Sequence, residues 1–526
     1  MRQTAEIFGE EIMGDNTTEK KEKFVEVSRV AKRGDRIFVE KDGRPYTMHA
    51  LHIRPDLIYQ RYKLKTNEDY DAVLKPYYRE AAKLGFKTVN CQIHWREIEK
   101  EKDCYDFSFW DRIYSYLEEY DLNIQLLWCG SDNCGWYSDN IPAYVRENTT
   151  DYYLKPYLCP DGVERSVVLD YSNPKLLERE KKAIEKLMEH LYEFDINHRT
   201  VAFQVMNEAN ANGAGLRCPV PRQDSTSEEV DRVTWVGGQE KEIMHMMNEL
   251  GLAVKNGPYR CITRVNFISY HCYNNGVSDA PKRVAALPGI DIVGMDCFDT
   301  GKTMDKYFMT KVADYPTNVP HIPEAPAGCY SIFAKMLEAF KIGGSLFVYE
   351  LRSSANDDSL SIMRLTDGDF VYRDGTQPLK NSVLEASTYD WISFNAMVNA
   401  IGEMLLITPL EDIAVFNTVS QVPRIEETRR VGDIEVTFRS ASKNMYGSVG
   451  LSMRAADGSY LFYSLNSDTA YILKNVSIRG NVSVGRYEGE EWVETGVQAA
   501  FKNGFYIFHD RASKGKLFRI RPDQLC

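Results

Sequence analysis

The sequence predicts an α/β fold, a (β/α)8 TIM barrel followed by a C-terminal all-β, sandwich-like domain. Eight strand-like apolar runs, each followed by sequence with helical apolar spacing, occupy residues 46–53, 87–94, 122–129, 200–206, 261–270, 290–296, 320–324 and 345–350. After about residue 407, short β-type runs alternate with turn signals such as Asp457-Gly458 and Asn503-Gly504. A doubly wound sheet is the alternative for the first part, but no G-x-G-x-x-G fingerprint follows the first strand.

The segments between the strand-like runs carry the helix signals that a barrel requires. Apolar spacing predicts a helix over residues 67–84 that ends at Gly85, and Pro174 in a first turn marks the start of a long amphipathic helix over 173–194. Further helical runs cover 109–120, 228–256, 280–287, 330–340 and 383–406. We therefore divide the chain into an N-terminal lead-in or outer helix (1–35), a catalytic barrel (36–406) and a C-terminal β domain (407–526).

Composition narrows the partners and the compartment. The 43% apolar share excludes bulk disorder, and a net charge of −12 disfavours a nucleic-acid partner. No run approaches about 18 apolar residues and the N-terminus has no apolar signal core, so we expect no membrane partner. The 11 cysteines show no C-x-x-C spacing, which argues against a disulfide framework and a zinc site. We expect a cytoplasmic, bacterial-type protein, with a previously removed signal peptide as the alternative.

The active site of a (β/α)8 barrel lies at the C-terminal ends of its strands. Two glutamates, Glu208 and Glu324, end the fourth and seventh runs, on roughly opposite sides of the barrel mouth. Paired carboxylates across a cleft are the apparatus of glycoside hydrolysis, in which one donates a proton and the other is ionised. Aromatic rings and amides nearby suit a sugar. The candidate substrate-binding residues are Asn207, His94, Trp95, Trp128, Trp136, Asn266, Tyr270, Asp296 and Glu350.

Three motifs resemble clan A glycoside hydrolases over roughly residues 36–350. The run Phe203-Gln-Val-Met-Asn-Glu208 is similar to the Asn-Glu motif that ends strand 4 in this clan, in the form found in family 35 β-galactosidases. Pro320-His-Ile-Pro-Glu324-Ala resembles the strand-7 nucleophile motif. Trp95-Arg-Glu-Ile-Glu99, with Tyr105-Asp-Phe after it, resembles the segment after strand 2 in families 35 and 42.

The resemblance implies a role for each carboxylate. Glu208 would be the general acid/base, Glu324 the nucleophile of a double displacement, and Asn207 a ligand of the sugar 2-hydroxyl. The carboxylates would then lie about 5–5.5 Å apart, and the reaction would need no metal and no cofactor. The chain departs from family 35 in lacking an acidic residue before Asn207 and in the Ala-Pro-Ala-Gly that follows Glu324. These departures leave the sugar specificity open.

The sequence thus predicts a retaining, exo-acting β-glycosidase of the β-galactosidase type, which hydrolyses terminal β-linked sugars. Its partner would be an oligosaccharide or glycoside, and the β domain is a candidate contact of a homo-oligomer. An endo-β-glucanase of the same clan and a non-catalytic sugar-binding pseudoenzyme are the alternatives, and the presence of both carboxylates argues against the second. Glu350 belongs to strand 8, so we favour a substrate contact or salt bridge over a nucleophile role. Trp128 and His94 each have two possible roles, a contact with the sugar and a purely structural one.

Overall fold

The structure is a computed structural model, and it describes most of the chain. The described residues are 24–132, 140–153, 157–158, 164–165, 169–209, 232–268, 280–297, 319–352, 360–365, 369–375, 385–418, 426–440, 448–465, 469–474, 476–488, 491–495, 500–502, 506–509 and 517–526.

Eight parallel strands form the central sheet. They are β1 (His49–Ile53), β2 (Thr88–His94), β3 (Asn123–Cys129), β4 (Thr200–Met206), β5 (Ile262–Ile268), β6 (Ile292–Asp296), β7 (His321–Pro326) and β8 (Ser345–Tyr349). Their order is β6-β5-β4-β3-β2-β1-β8-β7, with every pair parallel. At the remaining gap, the Cys297 N–H beyond β6 donates to the Glu324 carbonyl on β7 over 2.8 Å. The predicted (β/α)8 barrel is therefore confirmed.

Helices link these strands, and the apolar stripes of the helices cover the outside of the sheet. They are Pro55–Tyr62, Asn67–Val73 and Lys75–Lys83 after β1, Trp95–Ile98 and Ser108–Tyr120 after β2, Ala143–Arg146, Thr149–Tyr152 and Pro174–Phe194 after β3, Arg232–Asn256 after β4, Ala280–Ala285 after β5, Ile332–Lys341 after β7 and Thr388–Ile407 after β8. The helix Pro174–Phe194 starts as predicted, with Pro174 in its first turn and the Asn173 side chain accepting from the Lys175 N–H.

A hairpin closes the bottom of the barrel. Ser28–Arg33 pairs with Arg36–Lys41, and the Ser28 hydroxyl donates to the Val201 carbonyl over 2.5 Å. Val39 from this hairpin packs with an apolar layer inside the barrel formed by Met48, Ala50, Ala202, Ile262, Ile292, Val319 and Phe347. The expected lead-in boundary at residue 35 therefore falls in the hairpin turn, and residues 28–33 form a strand where an outer helix was the alternative.

A glycine contact between hairpin and barrel yields a stability prediction. Gly343 adopts φ +80°, and a methyl group there would collide with the Ile37 carbonyl of the hairpin. We expect Gly343→Ala to cost about 2–5 kcal/mol, since backbone strain and overpacking add. Gly34 is the matched control, because it has φ +63° but no atom within 4 Å of such a methyl. Gly34→Ala should cost only about 1 kcal/mol, and equal losses in thermal unfolding would contradict the predicted contact.

The C-terminal region consists of two antiparallel sheets. Its strands are β9 (Ile413–Asn417), β10 (Glu426–Val431), β11 (Ile434–Ser440), β12 (Val449–Arg454), β13 (Tyr460–Ser464), β14 (Thr469–Lys474), β15 (Ser483–Glu488), β16 (Glu491–Glu494), β17 (Ala500–Lys502), β18 (Tyr506–His509) and β19 (Leu517–Ile520). The sheet orders are β9-β12-β13-β19-β15-β16 and β10-β11-β14-β18-β17. Phe416 and Phe462 from one sheet share a core with Phe438 and Tyr471 from the other, so the predicted all-β domain is confirmed.

The described residues also form several short strands and 3-10 helices. The remaining strands are Val25–Glu26, Arg44–Pro45, Glu99–Glu101, Cys104–Tyr105, Tyr157–Leu158, Glu164–Arg165, Tyr259–Arg260, Arg364–Leu365 and Phe370–Val371, and the 3-10 helices are Leu410–Asp412 and Pro522–Gln524. Within the described ranges, every helix is too short or too polar to traverse a lipid bilayer.

Candidate active site

Three carboxyl groups meet at the C-terminal ends of the barrel strands. Glu208 follows β4, Asp296 ends β6 and Glu324 lies in β7. One oxygen of each carboxyl group lies within 4.8 Å of one oxygen of each of the other two. The barrel thus brings together the two glutamates singled out from the sequence, and it adds Asp296 to them as a third acidic group.

The backbone of Glu208 has an unusual conformation. Its φ is +44°, in the left-handed region that residues with a side chain rarely adopt. The Glu208 N–H donates to the Asn266 side-chain oxygen over 2.8 Å, which helps to hold the turn. Strained conformations of this kind concentrate at functional sites, so the geometry sets Glu208 apart from an ordinary residue at a strand end.

Buried amides connect the strands that carry these carboxyl groups. Asn266 donates from Nδ2 to Asp296 Oδ2 over 2.9 Å and to Asn207 Oδ1 over 3.2 Å. Gln204 Nε2 donates to the same Asn207 oxygen and to Asn266 Oδ1, over 2.9 and 2.7 Å. Asn207, Asn266 and Asp296 were predicted as substrate ligands, and in the structure Asn266 hydrogen-bonds to the other two. Gln204 was not predicted, although an amide at an inward-facing position of an apolar strand was an available signal.

Arg264 lies on β5, two residues before Asn266. Its side chain is fully buried, and none of its three guanidinium nitrogens has a hydrogen-bond partner among the described residues. The guanidinium carbon lies 4.9 Å from the centre of the Phe347 ring. Burial lowers the pKa of Arg264 to about 9, while Asp296 and Glu324 oppose that shift. Sequence reasoning missed this residue, although its spacing of two from Asn266 puts both side chains inside the barrel.

Burial and mutual repulsion raise the pKa of Glu324 and of Asp296. Burial, followed by the charge of Glu208, raises the pKa of Glu324 to about 8. Burial, then repulsion from Glu324 and Glu208, raises the pKa of Asp296 well above its usual range. Arg54 and Arg264 act in the opposite direction on Glu324. Since the groups interact strongly, their protons belong to the set, and Glu324 is the member that two guanidinium groups favour as an anion.

Arg54 owes its position to Asp56. The Arg54 guanidinium donates to both carboxylate oxygens of Asp56, over 3.0 and 2.8 Å, and Asp56 is almost fully buried. Burial raises the pKa of Asp56, but Arg54 and His94 outweigh it and hold that pKa well below its usual range. This fixed ion pair keeps one guanidinium near Glu324.

The raised pKa of Glu324 predicts a pH-dependent gain in stability when the carboxyl group is removed. A carboxyl that holds its proton in the fold up to about pH 8, from a usual pKa of 4.5, destabilises the fold increasingly as the pH rises between those values. We expect Glu324→Gln to match the wild type near pH 5 and to be more stable by roughly 1–3 kcal/mol at pH 8. Thermal unfolding at both pH values tests this, with the exposed Glu101→Gln as control; a gain that does not grow with pH would contradict it.

Some predicted ligands lie in structural positions. The indole N–H groups of Trp95 and Trp128 donate to Glu99 and Glu180, both over 2.7 Å. Both tryptophans are fully buried in the main apolar core. This burial is what the core interpretation of Trp128 expects, and a substrate contact at either ring stays a prediction.

His94 is also held by other side chains. Its ring nitrogens lie 2.8 Å from Asn140 Oδ1 and 3.4 Å from Asp56 Oδ2, and its side chain is buried. These contacts fit the structural alternative for His94, and a contact with substrate stays a prediction. The predicted ligands Trp136 and Tyr270 lie outside the described residues.

A cavity of about 370 Å³ opens between β1 and the segment after β8. Its polar lining includes His52, Arg54, Arg61, Tyr77, Glu350 and Arg352. His52 Nε2 lies 3.3 Å from the carbonyl of Pro323, next to Glu324. Glu350 also raises the pKa of Glu324 by repulsion, less than burial and Glu208 do, so the cavity lies beside the carboxyl groups. Its volume is in the range of small-ligand sites.

Neither a metal centre nor a cofactor site was predicted, and the composition of the site is consistent with acid–base chemistry. In the part of the chain that the structure describes, the three carboxyl groups are the one acidic, histidine or cysteine cluster compact enough to contact a single ion. Arg264 and Arg54 supply positive charge next to it, and no histidine or cysteine belongs to it. We interpret it as an acid–base group.

Comparison with known proteins identifies similar chains without identifying the reaction. A family described as "Domain of unknown function (DUF4978)" matches residues 242–371, a stretch that contains Asp296 and Glu324 but not Glu208. No curated protein sequence matches the chain.

Solved structures of glycosidases are similar at low identity. They include a β-galactosidase from Rahnella sp. R3 (12% identity, TM-score 0.42, 60% of this chain and 53% of that one) and the exo-β-1,4-mannosidase Op5Man5 from Opitutaceae bacterium strain TAV5 (12%, 0.45, 72% and 64%). Another is the lactosyl-enzyme intermediate of endo-glycoceramidase II from Rhodococcus sp. (11%, 0.40, 91% and 98%). The chain spans about half the length of the Rahnella enzyme. Similarity at this level does not identify the activity or substrate of this chain.

Proposed function

We propose that the protein is a retaining β-glycosidase. The observation that carries the proposal is the approach of the Glu208 and Glu324 carboxyl oxygens to within 4.8 Å. Retaining glycosidases have carboxyl groups about 5–5.5 Å apart, whereas inverting enzymes need about 6.5–9.5 Å to admit a water molecule between sugar and base. The short approach of the two carboxyl groups supports the retaining arrangement over the inverting one.

The surroundings of each carboxyl group support its role. Glu324 is buried near Arg54 and Arg264, and these two cations oppose the burial and the Glu208 charge that raise its pKa, in the direction of the anion that a nucleophile must be. Glu208 is half-buried, in contrast to the other two, so its side chain has access to a leaving group and to water. The unusual backbone at Glu208 and its bond to Asn266 define the direction of that side chain.

The reaction has two displacements in this proposal. Glu324 attacks the anomeric carbon while Glu208 gives its proton to the departing oxygen, so the glycosidic bond breaks and an ester to Glu324 forms. Glu208, now ionised, then removes a proton from water, whose oxygen attacks the anomeric carbon and releases Glu324. The sugar leaves with its original β configuration, and both carboxyl groups return to their starting protonation states.

The finer assignment is a β-galactosidase type that acts on terminal sugars, related to families 35 and 42. Its support is the Asn-Glu motif at Glu208, the motif around Glu324 and the modest cavity beside them, which suits a terminal residue better than a long chain. Glu350, in the lining of that cavity, is our candidate contact for the sugar hydroxyls. The endo-β-glucanase and pseudoenzyme alternatives make different predictions for the same assay.

A panel of nitrophenyl β-galactoside, β-mannoside, β-glucoside and a cello-oligosaccharide tests the proposal. We expect turnover of at least one monosaccharide glycoside, with the β anomer as the first product seen by proton NMR. An α anomer as first product would contradict the retaining mechanism, and cleavage of the oligosaccharide alone would favour the endo enzyme. No turnover of any member would favour the pseudoenzyme.

A further inference from the structure

Asp296 is a buried acidic residue that the two-carboxylate reaction does not use. Its side chain has no exposed surface, and its Oδ2 accepts from Asn266 Nδ2 over 2.9 Å. Its other oxygen, Oδ1, is buried and has no hydrogen-bond partner among the described residues. A buried carboxylate oxygen without a donor costs far more than a protonated one, which can itself donate a hydrogen bond.

The charges around Asp296 decide where protons are held. Carboxyl groups face it from Glu208 after β4 and from Glu324 on β7. Arg264 on β5 faces both Asp296 and Glu324, while Arg54 just after β1 and Glu350 after β8 act on Glu324.

The charges around the site limit how many of the three carboxyl groups can be ionised at the same time. Arg54 is paired with Asp56, and Arg264 acts on both Asp296 and Glu324. If all three were ionised, the buried site would carry excess negative charge, which a water-excluded environment strongly disfavours. Asp296, which is fully buried and faces both other carboxyl groups, is therefore the group that we expect to stay neutral.

We propose that Asp296 is a positioning residue that stays protonated throughout the reaction and donates a hydrogen bond from its carboxylic acid group to Glu208. The assignment deepens the proposed function, on which its kinetic part rests. While Glu208 is protonated, this bond orients its acidic hydrogen toward the leaving group. After Glu208 has given up its proton, the same bond stabilises the resulting carboxylate until water returns a proton. Asp296 itself neither gains nor loses a proton over the cycle.

Asp296→Asn separates this role from a merely structural one. The amide keeps the size of the side chain and its contact with Asn266, but an N–H is a weaker donor than a carboxylic O–H to a carboxylate. The Glu208 carboxylate is then less stabilised, so the alkaline limb of kcat/KM should move upward by about one pH unit. Hydrolysis of the glycosyl-enzyme, measured with a dinitrophenyl glycoside, should slow by about tenfold, and azide should restore its rate.

Infrared difference spectroscopy detects the proton directly and needs no substrate. We expect a carbonyl band of a protonated carboxylic acid in the wild type at pH 7 that disappears in Asp296→Asn and persists in Glu208→Gln. Asp291→Asn is the matched control, because Asp291 lies just before β6 and pairs with Lys255 over 2.5 Å outside the site. Its substitution should leave the band in place. If Asp296→Asn does not fold, the double variant Glu208→Gln/Glu324→Gln provides the same information, because Asp296 is then the remaining carboxyl group of the cluster and its band should persist at pH 7.

The outcomes distinguish the two proposals. If no glycoside is turned over but the band is present and lost in Asp296→Asn, the glycosidase proposal fails and the protonated Asp296 stands. If glycosides are hydrolysed and Asp296→Asn changes neither the band nor the alkaline limb, the role of Asp296 is overturned and the glycosidase stands. Absence of the band from the wild-type spectrum at pH 7 also overturns it.

Discussion

Glu324→Gln should lose at least about 1,000-fold in kcat on aryl β-glycosides, because the amide cannot form the covalent intermediate. The site around it should remain intact, since the substitution keeps the shape of a buried side chain and removes its repulsion with Glu208. The measurement is steady-state turnover of the best nitrophenyl glycoside in the panel. Retained folding, checked by thermal unfolding, makes the loss specific to chemistry.

Glu350→Gln is the matched control for this loss. Glu350 also follows a barrel strand and is also buried, but it lies after β8 and lines the neighbouring cavity. We expect a raised KM and a kcat within about tenfold of the wild type, as for a residue that binds the substrate similarly in the ground and transition states. If Glu350→Gln is inactive and Glu324→Gln retains activity, the nucleophile is Glu350.

Chemical rescue with azide is a second test of the role of Glu324. Glu324→Gly opens space beside the anomeric carbon, and azide entering that space should restore turnover. The azide then attacks from the side that Glu324 occupied, so the product should be a glycosyl azide of inverted, α configuration. A β-glycosyl azide from this variant would place Glu324 in the acid/base role.

The second large effect is expected for Glu208→Ala. Removal of the general acid should lower kcat/KM by roughly 100- to 10,000-fold for substrates whose leaving group needs a proton. Dinitrophenyl glycosides, whose leaving group departs as an anion, should keep a nearly normal first step. The alkaline limb of the pH profile should vanish, because the group whose ionisation causes it is absent.

The product formed with azide distinguishes the two glutamates. In Glu208→Ala, azide should attack the glycosyl-enzyme from the side that water normally uses and yield a β-glycosyl azide. Asn207→Ala serves as a comparison, since it lies next to Glu208 and shares hydrogen bonds with Gln204 and Asn266. It should reduce kcat/KM and keep the alkaline limb. An unchanged pH profile in Glu208→Ala would remove Glu208 from the mechanism.

Two features of the site were within reach of the sequence. Strand periodicity located all eight barrel strands, because each combines an apolar run with a following helical pattern. A residue at the C-terminal end of such a strand lies on the face of the barrel that carries the active site. Glu208 and Glu324 were therefore identified together, although 115 residues separate them in the chain.

The sequence alone thus determined the barrel, the β domain and the two opposed glutamates, since periodicity and strand order are local properties of the chain. Only the tertiary structure decided which polar side chains touch. Asp296 approaches both glutamates, and the buried Arg264 guanidinium has no hydrogen-bond partner among the described residues. Trp95 and Trp128 are buried. These features depend on distances between strands that are remote in sequence. Contacts of this kind follow from closure of the sheet, which aligns inward-facing positions of neighbouring strands at one height in the barrel.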